Sequence, residues 1–313
     1  MTNIVEQKFE IYELLTVDDS IRHVERCGRN CYKSEALITN DSSEKFIRNI
    51  LKSGHESVIE HAHFIFKIKQ EDAILLFNKI GYENLAQLRG LNITKENDYY
   101  IVSGNPRTFR DIYRLSNIYV FLDEIPELFS EFLEDDKNKL IKNKVIDNYE
   151  LIGVQRSEYG DKHNYYTFRF DTSISTYKDI TRHRNLSFSI ESSRFCNYSK
   201  KNENGEHNIV DCSYFMSSKE NQLYLNQMQQ IQDKYNSLAN NFNSKPDVLR
   251  MILSHGTAAS VVMSGSEYDL KKMLKLRTDS HAHPTVQHDM KEIEKLLNKE
   301  NKQEVLFLDR RLV

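Results

Sequence analysis

Between Arg182 and Phe195 the chain places three arginines, a histidine, four serines and a glutamate within fourteen residues, with few apolar side chains to anchor them. Arginine stays charged at every working pH and presents a planar fork of donors. Arg182, Arg184 and Arg194 therefore suit a phosphate or another multiply anionic ligand, and Ser187, Ser189, Ser192 and Ser193 add short hydroxyls to complete a hydrogen-bond cage. For an arbitrary Arg-rich run the usual outcome is a solvated basic helix end beside a serine-rich turn. Here the order of the residues, more than their charge, argues for chemistry.

A second cluster comprises His55, Glu56, Glu60, His61 and His63. A zinc hydrolase helix would need His-Glu-x-x-His, but Ile59 stands at the second histidine position, so no metal is expected. His61 and His63, two apart, share one strand face; such pairs are more often packed than ligating. Arg250 and Arg277 complete the candidates, and each alone reads as a surface charge.

The run Arg182-His183-Arg184, seven intervening residues, Ser192 and then Arg194 resembles the signature of the flavin-dependent thymidylate synthases. Phe195-Cys196-Asn197-Tyr198-Ser199-Lys200 is similar to the family's next segment, and Gly54-His55-Glu56-Ser57 with Glu60-His61 to the segment before its first core strand. Leu249 to Leu253 resembles its arginine-bearing helix, and Lys275 to His283 its terminal Leu-Arg segment. The resemblance implies FAD held by Arg182, His183 and Arg184 with His63 nearby, and deoxyuridylate met by Ser192, Arg194, Arg250 and Asp179. It implies that Arg277 polarises the uracil and that His61 lies near flavin and substrates in a supporting catalytic role. The implied reaction is reductive methylation of dUMP, with methylene-tetrahydrofolate giving the carbon and NADPH reducing FAD, in a homotetramer with sites between subunits. Departures are Ile190 for Glu or Gln, Asp179 for Gln or Glu, Phe195 for Tyr, and Ser266 and Tyr268 for an Asn and an Arg that contact flavin. Asn105 and Arg107 reproduce that lost Asn-x-Arg pattern, in a stretch where Ser103-Gly104 echoes Ser264-Gly265.

These residues need elements to position them. Ala62 to Lys69 and Tyr165 to Phe170 alternate as half-buried strands. The second leads into a helix, Thr176 to Thr181, that delivers the arginine cluster. Helices are expected over 21–31, 42–52, 73–80, 107–122, 125–133, 218–243, 269–276 and from Pro246 and Pro284, with turns at 134–139 and 201–206. The expectation is an α+β fold, an antiparallel sheet flanked by helices like that of the family it resembles, forming one domain over 1–313, and the resemblance implies a mainly helical insertion over 70–162.

Composition narrows the function. With 43 Lys and Arg against 46 Asp and Glu, the net charge of −3 gives no global basic field for duplex nucleic acid. Four cysteines among 313 residues are too few for a disulfide scaffold. Met1 to Glu13 lacks a signal-peptide core and no apolar run is long enough to span a bilayer, so a cytoplasmic protein without membrane or stable nucleic-acid partners is expected. Three rivals remain: a folate-dependent pyrimidine nucleotide hydroxymethylase, motivated by Ile190; a non-catalytic nucleotide- or RNA-binding protein; and, least favoured, a metal hydrolase.

Overall fold

The computed structural model describes residues 3–13, 16–133, 142–200 and 208–309. The turns expected over 134–139 and 201–206 lie outside the described residues. Two short strands, β1 (Asn3–Val5) and β2 (Phe9–Ile11), precede helices α1 (Asp19–Arg29) and α2 (Ser42–Lys52). A 3-10 turn, Glu56–His61, then leads into β3 (Phe64–Lys69). Phe64, Phe66 and Ile68 alternate into the first hydrophobic core, as a half-buried strand requires.

Helices α3 (Gln70–Ile80) and α4 (Tyr82–Gln87) follow, then strands β4 (Asn92–Glu96) and β5 (Tyr99–Gly104), helix α5 (Pro106–Ser116) and strand β6 (Tyr149–Val154). Together β4, β5, β3 and β6 form one antiparallel four-stranded sheet in that order. The stretch 70–162 thus carries three helices, α3, α4 and α5, and also three strands of a sheet. Its Phe77, Ile112, Phe121 and Phe129 share one core with Val24 and Ile47, so it is packed into the body and does not stand apart. The helix expected over 107–122 stops at Ser116 because Asn117 takes a left-handed conformation, with φ of 58°. A 3-10 turn, Glu127–Ser130, replaces the helix expected over 125–133.

A second sheet holds the arginine segment. Strand β7 (Tyr165–Ser173) runs into α6 (Ile174–Ile180), whose start is capped by Ser173 accepting from the Thr176 N–H. Strand β8 (Ser187–Ile190) follows, then β9 (Asn208–Val210), the long α7 (Ser218–Asn241), the short α8 (Pro246–Leu249) and β10 (Ala258–Ser266). Helices α9 (Glu267–Arg277) and α10 (Pro284–Asp309) close the chain's described part. The sheet order is β2-β7-β10-β8, antiparallel throughout, while β1 and β9 pair in parallel. Strand β10 is buried along its whole length. Val261 and Met263 enter a second core with Tyr166, Phe168, Phe170, Ile180, Leu186, Met290 and Ile293.

Leu186 pins the arginine segment to this core. It is 6% exposed, and it fits because residue 265 is glycine: a Cβ there would fall 2.2 Å from Leu186 Cδ2. Leu186→Ala should therefore lower unfolding stability by about 2–5 kcal/mol in guanidinium titration. A loss under about 0.5 kcal/mol would show that the segment is anchored elsewhere.

Candidate active site

Arg277 brings the two distant arginine segments together. Its Nε donates to His183 Nε2 at 3.0 Å and its Nη2 to the Asp179 carbonyl at 2.8 Å. The C-terminal ends of α6 and α9, carrying residues 94 apart in sequence, meet at this point. Burial, and then the Arg277 charge, lowers the His183 pKa, so the ring is neutral at pH 7. Its Nε2 accepts from Arg277, which leaves Nδ1–H as a donor. Asp179 takes part through its backbone oxygen.

Arg182, Arg184, Arg194 and Arg250 are exposed, and none forms an ion pair among the described residues. Unpaired guanidinium groups are available to an anion, and Arg182 and Arg184, two apart in sequence, are the nearest such pair. Arg194 lies 5.8 Å from the centre of the Phe195 ring. Ser192 is half-buried; its N–H donates to the Cys31 carbonyl at 2.9 Å, and its Oγ accepts from the Arg194 N–H at 3.4 Å. Arg250 follows α8, and its charge acts on Tyr177 of α6, opposing the rise that burial imposes on that phenol. Ile190, paired with Val261 of β10, packs on the second core. The acid one residue later, Glu191, is buried, accepts from the Ser260 N–H at 3.1 Å and pairs with Lys33 at 3.1 Å.

The histidines of the other cluster lie elsewhere. His61 is fully buried behind β8, with Nδ1 bonded to Ser264 Oγ at 2.7 Å and Nε2 to Ser189 Oγ at 2.9 Å. Both ring nitrogens are engaged, so His61 links β8 to β10. His63, also fully buried, stacks on Tyr165 with ring centres 4.4 Å apart, and neither of its nitrogens has a partner among the described residues.

Asn105 and Arg107 are likewise engaged. Asn105 Oδ1 caps α5 by accepting from the Thr108 N–H at 2.9 Å, and Arg107 pairs with Glu60. Glu60 also accepts from Ser187 Oγ at 2.8 Å, while its carbonyl accepts from Tyr165 O–H at 2.9 Å. Glu60, Tyr165, Ser189, Ser264 and Glu191 were not assigned these roles from sequence, because each acts through long-range contacts that local spacing does not record.

Burial holds four histidines neutral, lowering His61 and His63 to about 3 and His23 and His163 to about 4. The unfolded chain, with histidines near 6.5, binds more protons between these values. Stability is thus full above about pH 6.5 and is lost as pH falls, at about 1.4 kcal/mol per pH unit for each fully neutral histidine. Urea midpoints measured at pH 7.5 and pH 5 should differ strongly, and equal midpoints would contradict the burial of these rings.

The α+β frame thus carries exposed arginines next to the Arg277–His183 contact. The sequence matches the family described as thymidylate synthase complementing protein over residues 13–76 and 156–301, more than half of the chain, and the chain belongs to that family. No curated protein matches it. Among solved structures it is similar to a flavin-dependent thymidylate synthase ThyX from Helicobacter pylori complexed with FAD and dUMP, at 21% identity and a TM-score of 0.33, covering 41% of this chain and 64% of that one. A second ThyX structure from Helicobacter pylori, with FAD and dUMP, matches at 13% identity and a TM-score of 0.35 over 91% of this chain and 90% of that one. A UMP/dUMP methylase, PolB, from Streptomyces cacaoi bound with 5-Br UMP matches at 13% identity and a TM-score of 0.42 over 95% and 92%. With TM-scores this low, the family assignment stands on the matched residues.

Proposed function

We propose that the chain is a flavin-dependent thymidylate synthase that methylates dUMP reductively, with methylene-tetrahydrofolate as carbon donor and NADPH as reductant. The observation that carries this reading is the contact of Arg277 with His183 and the Asp179 carbonyl, which joins the family's signature to its terminal arginine. The donor set fits a flavin dinucleotide: exposed Arg182 and Arg184 suit its phosphates, and neutral His183 offers one N–H. When bound, that group supplies the hydride that completes the methyl group.

The chain's own residues bind and polarise. Arg194, Arg250 and the Ser192 hydroxyl are offered to the nucleotide phosphate and sugar, with Asp179 at the edge of the site. Arg277, fixed by two hydrogen bonds, stabilises negative charge developing on the pyrimidine without reorganising. No cysteine nucleophile is required. Cys196, the nearest in sequence, is buried with its Sγ 3.8 Å from the Cys31 carbonyl.

We further propose a homotetramer whose sites are completed between subunits; the open, solvent-facing arginines support that view. A cytoplasmic setting is supported by four free thiols. No helix of the described residues is long and apolar enough to cross a membrane.

Mass spectrometry of the product from dUMP, methylene-tetrahydrofolate, NADPH and FAD tests the reaction. dTMP is expected; a product heavier by one oxygen would make the enzyme a hydroxymethylase, the reading that Ile190 favours. Arg277→Ala should lower kcat by about 10²–10³ while the protein stays folded, and unchanged turnover would remove Arg277 from the chemistry.

A further inference from the structure

The two four-stranded sheets are built alike. Read as β6-β3-β5-β4 and β2-β7-β10-β8, they have the same order, and every pairing is antiparallel. In each, the second strand runs into a helix, α3 or α6, and the third into α5 or α9. The registers correspond as well. Phe64 pairs with Gly104 as Tyr166 pairs with Gly265, and Asn92 pairs with Ser103 as Ser187 pairs with Ser264. On the outer edge, Tyr149, Glu150 and Leu151 face Ile68, Lys67 and Phe66 just as Phe9, Glu10 and Ile11 face Phe170, Arg169 and Phe168. Backbone pairing alone sets this correspondence, yet it aligns Ser103-Gly104 with Ser264-Gly265 and, carried along the chain without a gap, Arg89 with Arg184, Leu91 with Leu186 and Glu96 with Glu191.

Side chains obey the same correspondence, which backbone pairing does not oblige them to do. The equivalent of His61 is His163. His163 Nδ1 is bonded to Ser103 at 2.8 Å and its Nε2 to Thr94, and Ser103 and Thr94 are the equivalents of Ser264 and Ser189, the two partners of His61. Each histidine precedes the second strand of one sheet and is gripped by two hydroxyls from the other. His63 and Tyr165 are also equivalents, and they stack face to face, 2° from parallel. Equivalent groups touch each other only on a pseudo-two-fold axis, so the axis passes between these rings.

We infer that residues 9–116 and 149–277 are two copies of one folding unit that exchange their first strands, and that only the second copy has kept the cations of a ligand site. The exchange is reciprocal: β2 of the first copy pairs with β7 of the second, and β6 of the second pairs with β3 of the first. The asymmetry lies in the cations. Gln87 and Leu88 stand in the first copy where the second has Arg182 and His183, and Ser116 stands where it has Arg277. Of that set only Arg89 remains, too little positive charge for a dinucleotide. The first copy has become a platform, and Glu60 shows how it acts. Held by Arg107, Glu60 accepts from Ser187 at the start of the second copy's β8; its equivalent, Lys162, lies over the ring of Tyr268, the equivalent of Arg107. The stretch 70–162, an insertion by sequence, is on this reading the remainder of the first copy followed by the opening strand of the second.

The ligand's identity rests on the function proposed above, so the test has two arms on the full chain. Flavin adenine dinucleotide titrated by absorbance should saturate at one equivalent per chain. Arg184→Ala should weaken that binding at least tenfold, and Arg89→Ala should leave it unchanged; two equivalents, or loss on Arg89→Ala, would overturn the one-site claim. The second arm needs no ligand. Ser103→Ala and Ser264→Ala each strand a buried histidine nitrogen, and both should lower the thermal midpoint by roughly 2–6 °C. A fall in one variant only would overturn the equivalence of the copies. Wild-type protein that takes up no flavin, with both serine variants falling together, would sink the functional reading and the one-site claim while supporting the duplication.

Discussion

The structure depends on keeping His61 and His163 neutral and hydrogen-bonded inside a seam buried between the two sheets. His61 ties β8 to β10 through Ser189 and Ser264, and β8 is the strand that carries the arginine segment away from α6. Removing one hydroxyl leaves a buried nitrogen with nothing to bond, so the seam tolerates only one arrangement. That rigidity fixes β8, the strand that begins just after the exposed Arg182 and Arg184.

From this seam outward the design is a division of labour. Apolar alternation along β3 and β7 fills two cores, polar groups on the opposite strand faces meet between them, and the strand ends launch helices whose termini carry the chemistry. Arg277 at the end of α9 and His183 just past the end of α6 meet because both helices pack on the same sheet. Their contact needs no flexible loop to close. Ser173, Ser266 and Asn105 each cap the helix that follows their strand, which fixes the direction in which each helix leaves the sheet.

Much of this was legible in the sequence, and the gaps have physical causes. Caps and period exposed α1, α2 and α7, and strict alternation exposed β3 and β7. Strand β10 escaped because Ala258 to Ser266, buried on both faces and rich in small residues, has no polar alternation to read. Strands β4, β5 and β6 were hidden in a Lys- and Asn-rich stretch whose helices dominate the pattern. The arginine signature could be read because it is contiguous. The bond from Arg277 to His183 and the burial of His61 could not, since both arise from packing across the chain. The echo of Ser103-Gly104 in Ser264-Gly265 was visible, but its meaning required the strand registers.

The visible absorption spectrum of the purified protein, recorded before and after adding dUMP, tests the central claim most directly. An arginine cluster pre-arranged for a flavin and a pyrimidine monophosphate predicts a yellow protein, or one that turns yellow on taking up FAD, with a flavin band that shifts when dUMP is added. A colourless protein that takes up no FAD, or a flavin band indifferent to dUMP, would contradict it.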